Sequence, residues 1–182
     1  MALRRIKPQR AGEALQRRPA VELPLIRSPI SGGAELLLDT CVYIDVLQGR
    51  TPPAVDMLLE ARIVNHSIVC VAELTHVFGR LDPSHPGTKA VLRELRQTIE
   101  DMPVHRLSAP SVTVIGEAGM LAGLVARLSG VEARRNPSLL NDASLYLQAL
   151  ERGWIVVTRN LRDFDYFDQL LPADRVLFYE PA

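Results

Sequence analysis

Four acidic residues lie where apolar segments give way to helices or loops: Asp39 in "LLLDTC", Glu73 in "IVCVAEL", Asp142 in "SLLNDASLYLQAL" and Asp163 in "TRNLRDF". Asp39 follows three leucines, and an ionised carboxylate at the end of a buried strand is costly unless a cation, a proton or hydrogen-bond donors compensate it. The four are separated by 34, 69 and 21 residues, so only the fold can bring them together. Once gathered, they raise one another's pKa, and a divalent ion is the natural compensator. Oxygen-only ligation, without His or Cys, favours Mg²⁺ or Mn²⁺ over zinc. A carboxylate cluster holding one or two such ions activates a water for attack on a phosphodiester and stabilises the leaving oxygen.

Each acid also has a plainer reading. Asp39-Thr40 can be a helix-capping pair, and Asp142 can serve the helix dipole alone. Glu73 can be a solvated helix residue, paired with Arg80 or unpaired. Asp163 competes with Asp165 and Asp168, any of which can be a surface charge. Asp45 is assigned to the exposed face of the first helix. His66, His76, His85 and His105 share no ligand spacing, although His76 lies one helical turn beyond Glu73. Cys41 and Cys70 sit in apolar segments without CxxC or Cys/His spacing and read as buried free thiols.

The elements that must position these acids alternate between short apolar strands and amphipathic helices. Strands are expected at Leu36–Asp39, Ile63–Asn65, "PVHRL", "WIVVT" and "RVLFY". Helices are expected from Thr40 to Leu47, from Pro53 to Arg62, after a Ser67 cap, over "TKAVLRELRQTIEDM", over "SAPSVTVIGEAGMLAGLVARL", from a Ser138 cap to Arg152, and over "DYFDQLL". "RNLRDF" reads as a loop, and Gly116, Gly119 and Gly123 as a close helix contact, since no phosphate-loop spacing is present. Strands this apolar between helices indicate a three-layer α/β/α domain around a mainly parallel sheet, spanning residues 34–182. In such sheets, sites form outside the carboxyl ends of the strands, where all four acids are expected.

The 182 residues carry no net charge, yet residues 1–33 hold seven Arg/Lys against two Glu. That stretch is proline-punctuated and lacks sustained apolar periodicity, so it reads as a basic N-terminal arm, either a solvated tail or a contact for nucleic acid or a partner. The body is correspondingly acidic. No apolar run approaches the roughly 20 residues of a membrane helix, and no signal-peptide pattern follows the arginines, so a cytoplasmic location without membrane contact is expected.

The blocks "LLLDTCVYIDVLQG", "SIVCVAEL", "NDASLYLQALERG" and "WIVVTRNLRDF" together resemble, in order and spacing, the signature blocks of PIN domains, particularly the VapC-type toxins of bacterial type II toxin–antitoxin systems. The resemblance covers Leu36 to Tyr179. It implies a PIN-like fold and a Mg²⁺- or Mn²⁺-dependent endoribonuclease with Asp39, Glu73, Asp142 and Asp163 as metal-binding acids. Asp39 and Asp142 would hold the principal ion, and Glu73 would orient ligands or the attacking water. Asp163 with Asn160 would support a second ion or the substrate phosphate, with Thr158 and Asn160 holding the geometry. It also implies a homodimer and a cognate antitoxin whose C-terminal segment blocks the acids. Tyr146, one turn beyond Asp142, departs from the alanine-rich pattern of that block; it can stack on a base or belong to the core. Arg134, Arg135, Arg159 and Arg162 flank the acids and are candidates to face RNA phosphates or to be solvated loop charges.

The rival from another class is a catalytically silent PIN-like binding module. A phospho-acceptor signalling domain fits poorly, because the only lysines, Lys7 and Lys89, are badly placed for it. DxD phosphatases are excluded by "DTC". RNA rather than DNA as substrate follows only from the resemblance.

Overall fold

A computed structural model describes residues 6–7, 14–28, 30, 32–130 and 138–182. Its centre is a five-stranded, wholly parallel sheet in the order β3-β2-β1-β4-β5. The strands are β1 (Leu36–Leu38), β2 (Val64–Ser67), β3 (Leu107–Ser108), β4 (Ile155–Thr158) and β5 (Val176–Phe178). Every residue of β1 is buried, as a strand covered on both faces requires. In register, Leu36 faces Val64 on one side and Ile155 on the other.

Seven α-helices connect the strands among the described residues: α1 (Thr40–Leu47), α2 (Pro53–Ala61), α3 (Ile68–Arg80), α4 (Thr88–Glu100), α5 (Val112–Leu128), α6 (Leu139–Arg152) and α7 (Leu161–Leu170). The chain winds outward from β1 to β3, then crosses back to β4 beside β1. Right-handed crossovers in opposite directions put α1 to α4 on one face and α5 to α7 on the other. Packing follows that division, with α3 against α1 and α4, and α6 against α5 and α7. The expected three-layer α/β/α arrangement is therefore the one the chain adopts.

Local differences have local causes. β2 continues to Ser67, whose hydroxyl also caps α3 by accepting from the Val69 amide. The segment expected as a third strand forms a 3-10 turn over Val104–Arg106, leaving only two residues of β3. "RNLRDF" is not a loop: Asn160 caps α7 by accepting from the Asp163 amide, so the helix starts at Leu161. Ser138 makes no side-chain cap bond to α6. Gly119 and Gly123 carry no close helix contact, because a Cβ at either would meet open space. The expected stop at Gly153 is present, with φ of 72° at the end of α6.

Tyr146 is completely buried against Phe164 and Phe167 and donates its hydroxyl proton to the Leu171 carbonyl at 2.6 Å. It belongs to the core and is not available to stack on a base. Cys41 and Cys70 are free thiols, Cys70 buried and Cys41 half-buried. No helix among the described residues is long and apolar enough to cross a membrane.

The described part of the N-terminal arm is not a solvated tail. Leu23 and Ile26 are buried, and Leu25 forms a parallel bridge with Phe178, covering the outer edge of β5. Ile26 donates its amide to the Phe178 carbonyl at 2.7 Å, and Phe178 donates to that of Pro24 at 2.9 Å. Arg18 clamps α7: its Nε lies 2.5 Å from Asp165 Oδ1 and its Nη2 2.8 Å from Asp168 Oδ2. Asp165 is fully buried, so losing the guanidinium leaves its charge unpaired, with only the backbone amide of residue 18 and Gln169 Nε2 as donors. Arg18→Ala should therefore cost ~1–3 kcal/mol, lowering Tm by roughly 3–10 °C for a chain of this size. Thermal unfolding followed by circular dichroism measures it, and an unchanged Tm would mean that the arm does not hold the body.

Candidate active site

The return of the chain from β3 to β4 makes a topological switch point between β1 and β4, and the region outside the carboxyl ends of the strands there is where open α/β sheets form their sites. Asp39 ends β1, anchored by its amide to the Val157 carbonyl of β4 at 3.1 Å. Although Asp39 occupies the N-cap position of α1, its side chain makes no cap bond. It accepts instead from Thr158 Oγ1 at 2.6 Å and Cys41 Sγ at 3.0 Å. The capping reading of Asp39 is thus replaced by a carboxylate turned toward the end of β4.

Glu73, half-buried on α3, accepts from the Thr40 hydroxyl and from Asn141 Nδ2, the latter at 2.8 Å. Its two oxygens are held by α1 and by α6 rather than by Arg80. Asp142, in the first turn of α6, is only 6% exposed and accepts from Asn160 Nδ2 at 3.2 Å. The same amide donates to Asp163 Oδ2 at 3.1 Å, while Asn160 Oδ1 accepts from the Asp163 amide. One asparagine side chain therefore links two acids and starts α7. Asp165 and Asp168, the competitors of Asp163, are taken up by Arg18 on another side of that helix.

The electrostatics register the proximity. Burial is the main cause that pushes the Asp142 carboxyl up to about 9, and the charges of Asp39, Asp163 and Glu73 push it in the same direction. Asp39 is likewise raised, chiefly by burial and also by Glu73, against the donors from Thr158 and Cys41. Burial and the neighbouring Asp39 hold the Cys41 thiol protonated, so it serves Asp39 as a donor. Among the described residues, neither Asp39 nor Asp142 is in an ion pair, and no three His, Cys, Asp or Glu side chains stand together closely enough to hold a metal ion. The donor set is nonetheless hard oxygen: Asp39 and Asp142 are held by neutral hydroxyl, thiol and amide groups, whereas Asp163, the most buried of the four, is paired with Arg162. That chemistry fits a divalent ion of the Mg²⁺ or Mn²⁺ class.

Arg162 lies 3.1 Å from Asp163 Oδ1, and Arg159 Nε lies 3.2 Å from Asp45 Oδ2. Both guanidiniums remain about one-third exposed at the rim of the acids. Arg134 and Arg135 lie outside the described residues. Asp45 is not on an exposed face: it is fully buried, bonded by the Tyr179 hydroxyl at 2.8 Å and paired with Arg50 as well as Arg159. His66 is satisfied by the Tyr43 hydroxyl at 2.8 Å, and His76 is exposed. Sequence reasoning missed Thr40, Cys41 and Asn141 as partners of the acids. Their one available signal was adjacency to Asp39 or Asp142, which takes on meaning only once the helix starts are placed.

Comparison with solved structures gives the architecture its relatives. The chain is similar to one in the crystal structure of DNA-bound VapBC from Salmonella typhimurium, at 20% identity and a TM-score of 0.51, covering 79% of this chain and 97% of that one. It is similar to a chain of VapBC2 from Rickettsia felis bound to a promoter DNA fragment, at 16% identity and a TM-score of 0.53, covering 80% and 98%. FitAcB from Neisseria gonorrhoeae matches at 23% identity and a TM-score of 0.54, covering 79% and 96%. The fold is PIN-like. Comparisons of the sequence with protein-family models and with curated proteins gave no significant match. The PIN-like scaffold is the one the four sequence blocks lead one to expect, and its switch point is where Asp39, Glu73, Asp142 and Asp163 converge.

A buried carboxyl whose pKa is raised binds a proton more tightly when folded, so its contribution to stability is full below about pH 4 and is lost as pH rises through about 9. Asp142→Asn removes the ionisable group while keeping the shape. In chelator-treated protein at pH 8 it should raise stability by ~1–3 kcal/mol and flatten the decline of Tm between pH 5 and pH 9. Melting curves of both proteins across that range make the comparison, and a variant less stable than the parent at pH 8 would contradict it.

Proposed function

We propose that this protein is a divalent-metal-dependent endoribonuclease acting as the toxin of a toxin–antitoxin pair. The observation that carries the reading is the contrast among buried acids. Asp45, Asp163 and Asp165 each face an arginine, whereas Asp39 and Asp142 converge with only neutral donors around them. A cluster left short of positive charge at the mouth of a parallel sheet is suited to accept a cation and, with it, a phosphodiester.

Asp39 and Asp142 would hold the principal ion, with Glu73 and Asp163 completing the acidic wall. The bound ion would supply Lewis-acid activation of water and charge stabilisation of the leaving oxygen. The protein's own residues do the positioning. Thr158 fixes Asp39, Thr40 and Asn141 together fix the Glu73 carboxylate for orienting the attacking water, and Asn160 keeps Asp142 and Asp163 at one spacing. Arg159 and Arg162, anchored through Asp45 and Asp163, leave exposed guanidinium surface for the substrate phosphates. The similarity to VapBC and FitAB chains supports a cognate antitoxin partner, and the PIN-like resemblance supports a homodimer.

The purified chain, freed of any partner, is incubated with end-labelled total RNA in Mg²⁺, Mn²⁺ or EDTA. Cleavage should require the metal and fall by on the order of 100-fold or more in Asp39→Asn and in Asp142→Asn. Folded variants indistinguishable from an inactive parent in every metal would instead identify a PIN-like binding module without turnover.

A further inference from the structure

Helix α4 displays a feature that the carboxylate site does not use. Lys89, Arg93 and Arg96 recur at i, i+4 and i+7, which places three cations on one helix face over roughly 10 Å of axis. With Leu92 they line a shallow depression of about 300 Å³. All three are exposed, and among the described residues none is in an ion pair, although Glu94 and Glu100 belong to the same helix. Glu94 lies off this stripe and Glu100 ends it one turn beyond Arg96, so the charged lining of the depression itself is of one sign. On its inner side α4 buries Thr88 and Leu95 and packs on α3, the helix that carries Glu73.

We propose that this stripe is a docking track for the phosphodiester backbone of the RNA substrate, an inference that rests on the nuclease reading above. Charge complementarity identifies the occupant. The carboxylate site repels a polyanion until cations are bound, so affinity for a strand extending beyond the rim arginines Arg159 and Arg162 draws on cationic surface elsewhere. Three guanidinium and ammonium groups along one helix offer contacts to successive phosphates without reading bases. Leu92, half-buried, adds an apolar side chain to the lining of the depression.

Binding is measured separately from cleavage, using the full chain with Asp142→Asn and a fluorescein-labelled single-stranded RNA titrated at several salt concentrations, with single-stranded DNA of the same sequence in parallel. Each lost phosphate contact lowers the slope of log K against log salt by about 0.7 for a single strand. Lys89→Ala/Arg93→Ala/Arg96→Ala should therefore reduce the slope by about 2 and weaken binding roughly tenfold at moderate salt. Arg93→Lys/Arg96→Lys, which keeps the charge, should leave the slope in place. Equal losses for RNA and DNA support a track for the backbone alone. An unchanged slope with RNA still bound overturns the proposal and leaves the stripe to an acidic protein partner. Failure of the parent chain to bind RNA at any salt overturns the substrate reading and the stripe together.

Discussion

The repulsion among carboxylates at the mouth of the sheet is the constraint around which this molecule is arranged. Asp39 and Asp142 are each about nineteen-twentieths buried, and like charges in a medium of reduced dielectric oppose being brought together. The parallel sheet forces the approach regardless, because β1 and β4 are neighbours and their carboxyl ends open at the same place. What the chain can vary is the set of donors around the acids. It places a threonine hydroxyl, a cysteine thiol and two asparagine amides there, groups that orient carboxylates without neutralising them.

The treatment of other buried acids shows that this is not the only solution open to the fold. Asp45 lies between Arg50, Arg159 and the Tyr179 hydroxyl, and so ties α1 to the residue following β4 and to the chain beyond β5. Asp165 and Asp168 share Arg18 and thereby fasten the arm to α7. Each arrangement is a charge-assisted pair across distant sequence, and each would be costly to break from one side. The arm and the acidic body thus complement one another at Arg18, which offsets the buried Asp165 and its neighbour Asp168.

The three-layer fold was legible because its signal is local and repeated. Leu36–Leu38 and Val156–Val157 are runs with no polar face, which suits a strand covered on both sides, and helix stops such as Gly153 are single-residue decisions. The two-residue β3 was not legible, since Val104 to Arg106 satisfy a 3-10 turn as readily as a strand in one-dimensional pattern. Asp45 was misjudged for a different reason: its polarity argues for solvent, and only Arg50, Arg159 and Tyr179, the last two well over 100 residues away, make burial affordable. Asn160 looked like a loop residue because its capping role depends on where α7 turns. Among the acids, the choice of Asp163 over Asp165 and Asp168 required the helix phase, which the mistaken loop had hidden.

Structures sharing only 16 to 23% identity with this chain have the same architecture. At that distance the common content is the pattern of apolar strands and amphipathic helices, which determines the sheet, rather than any particular reactive side chain. The scaffold fixes where β1 and β4 end and therefore where a site can form; it does not fix which groups stand there. Chemistry has to come from the residues themselves. Here they supply Asp39 and Asp142, whose carboxyls burial and neighbouring charge drive toward the protonated form, at the switch point of the sheet. Buried carboxylates that oppose one another without a paired cation are difficult to account for as packing.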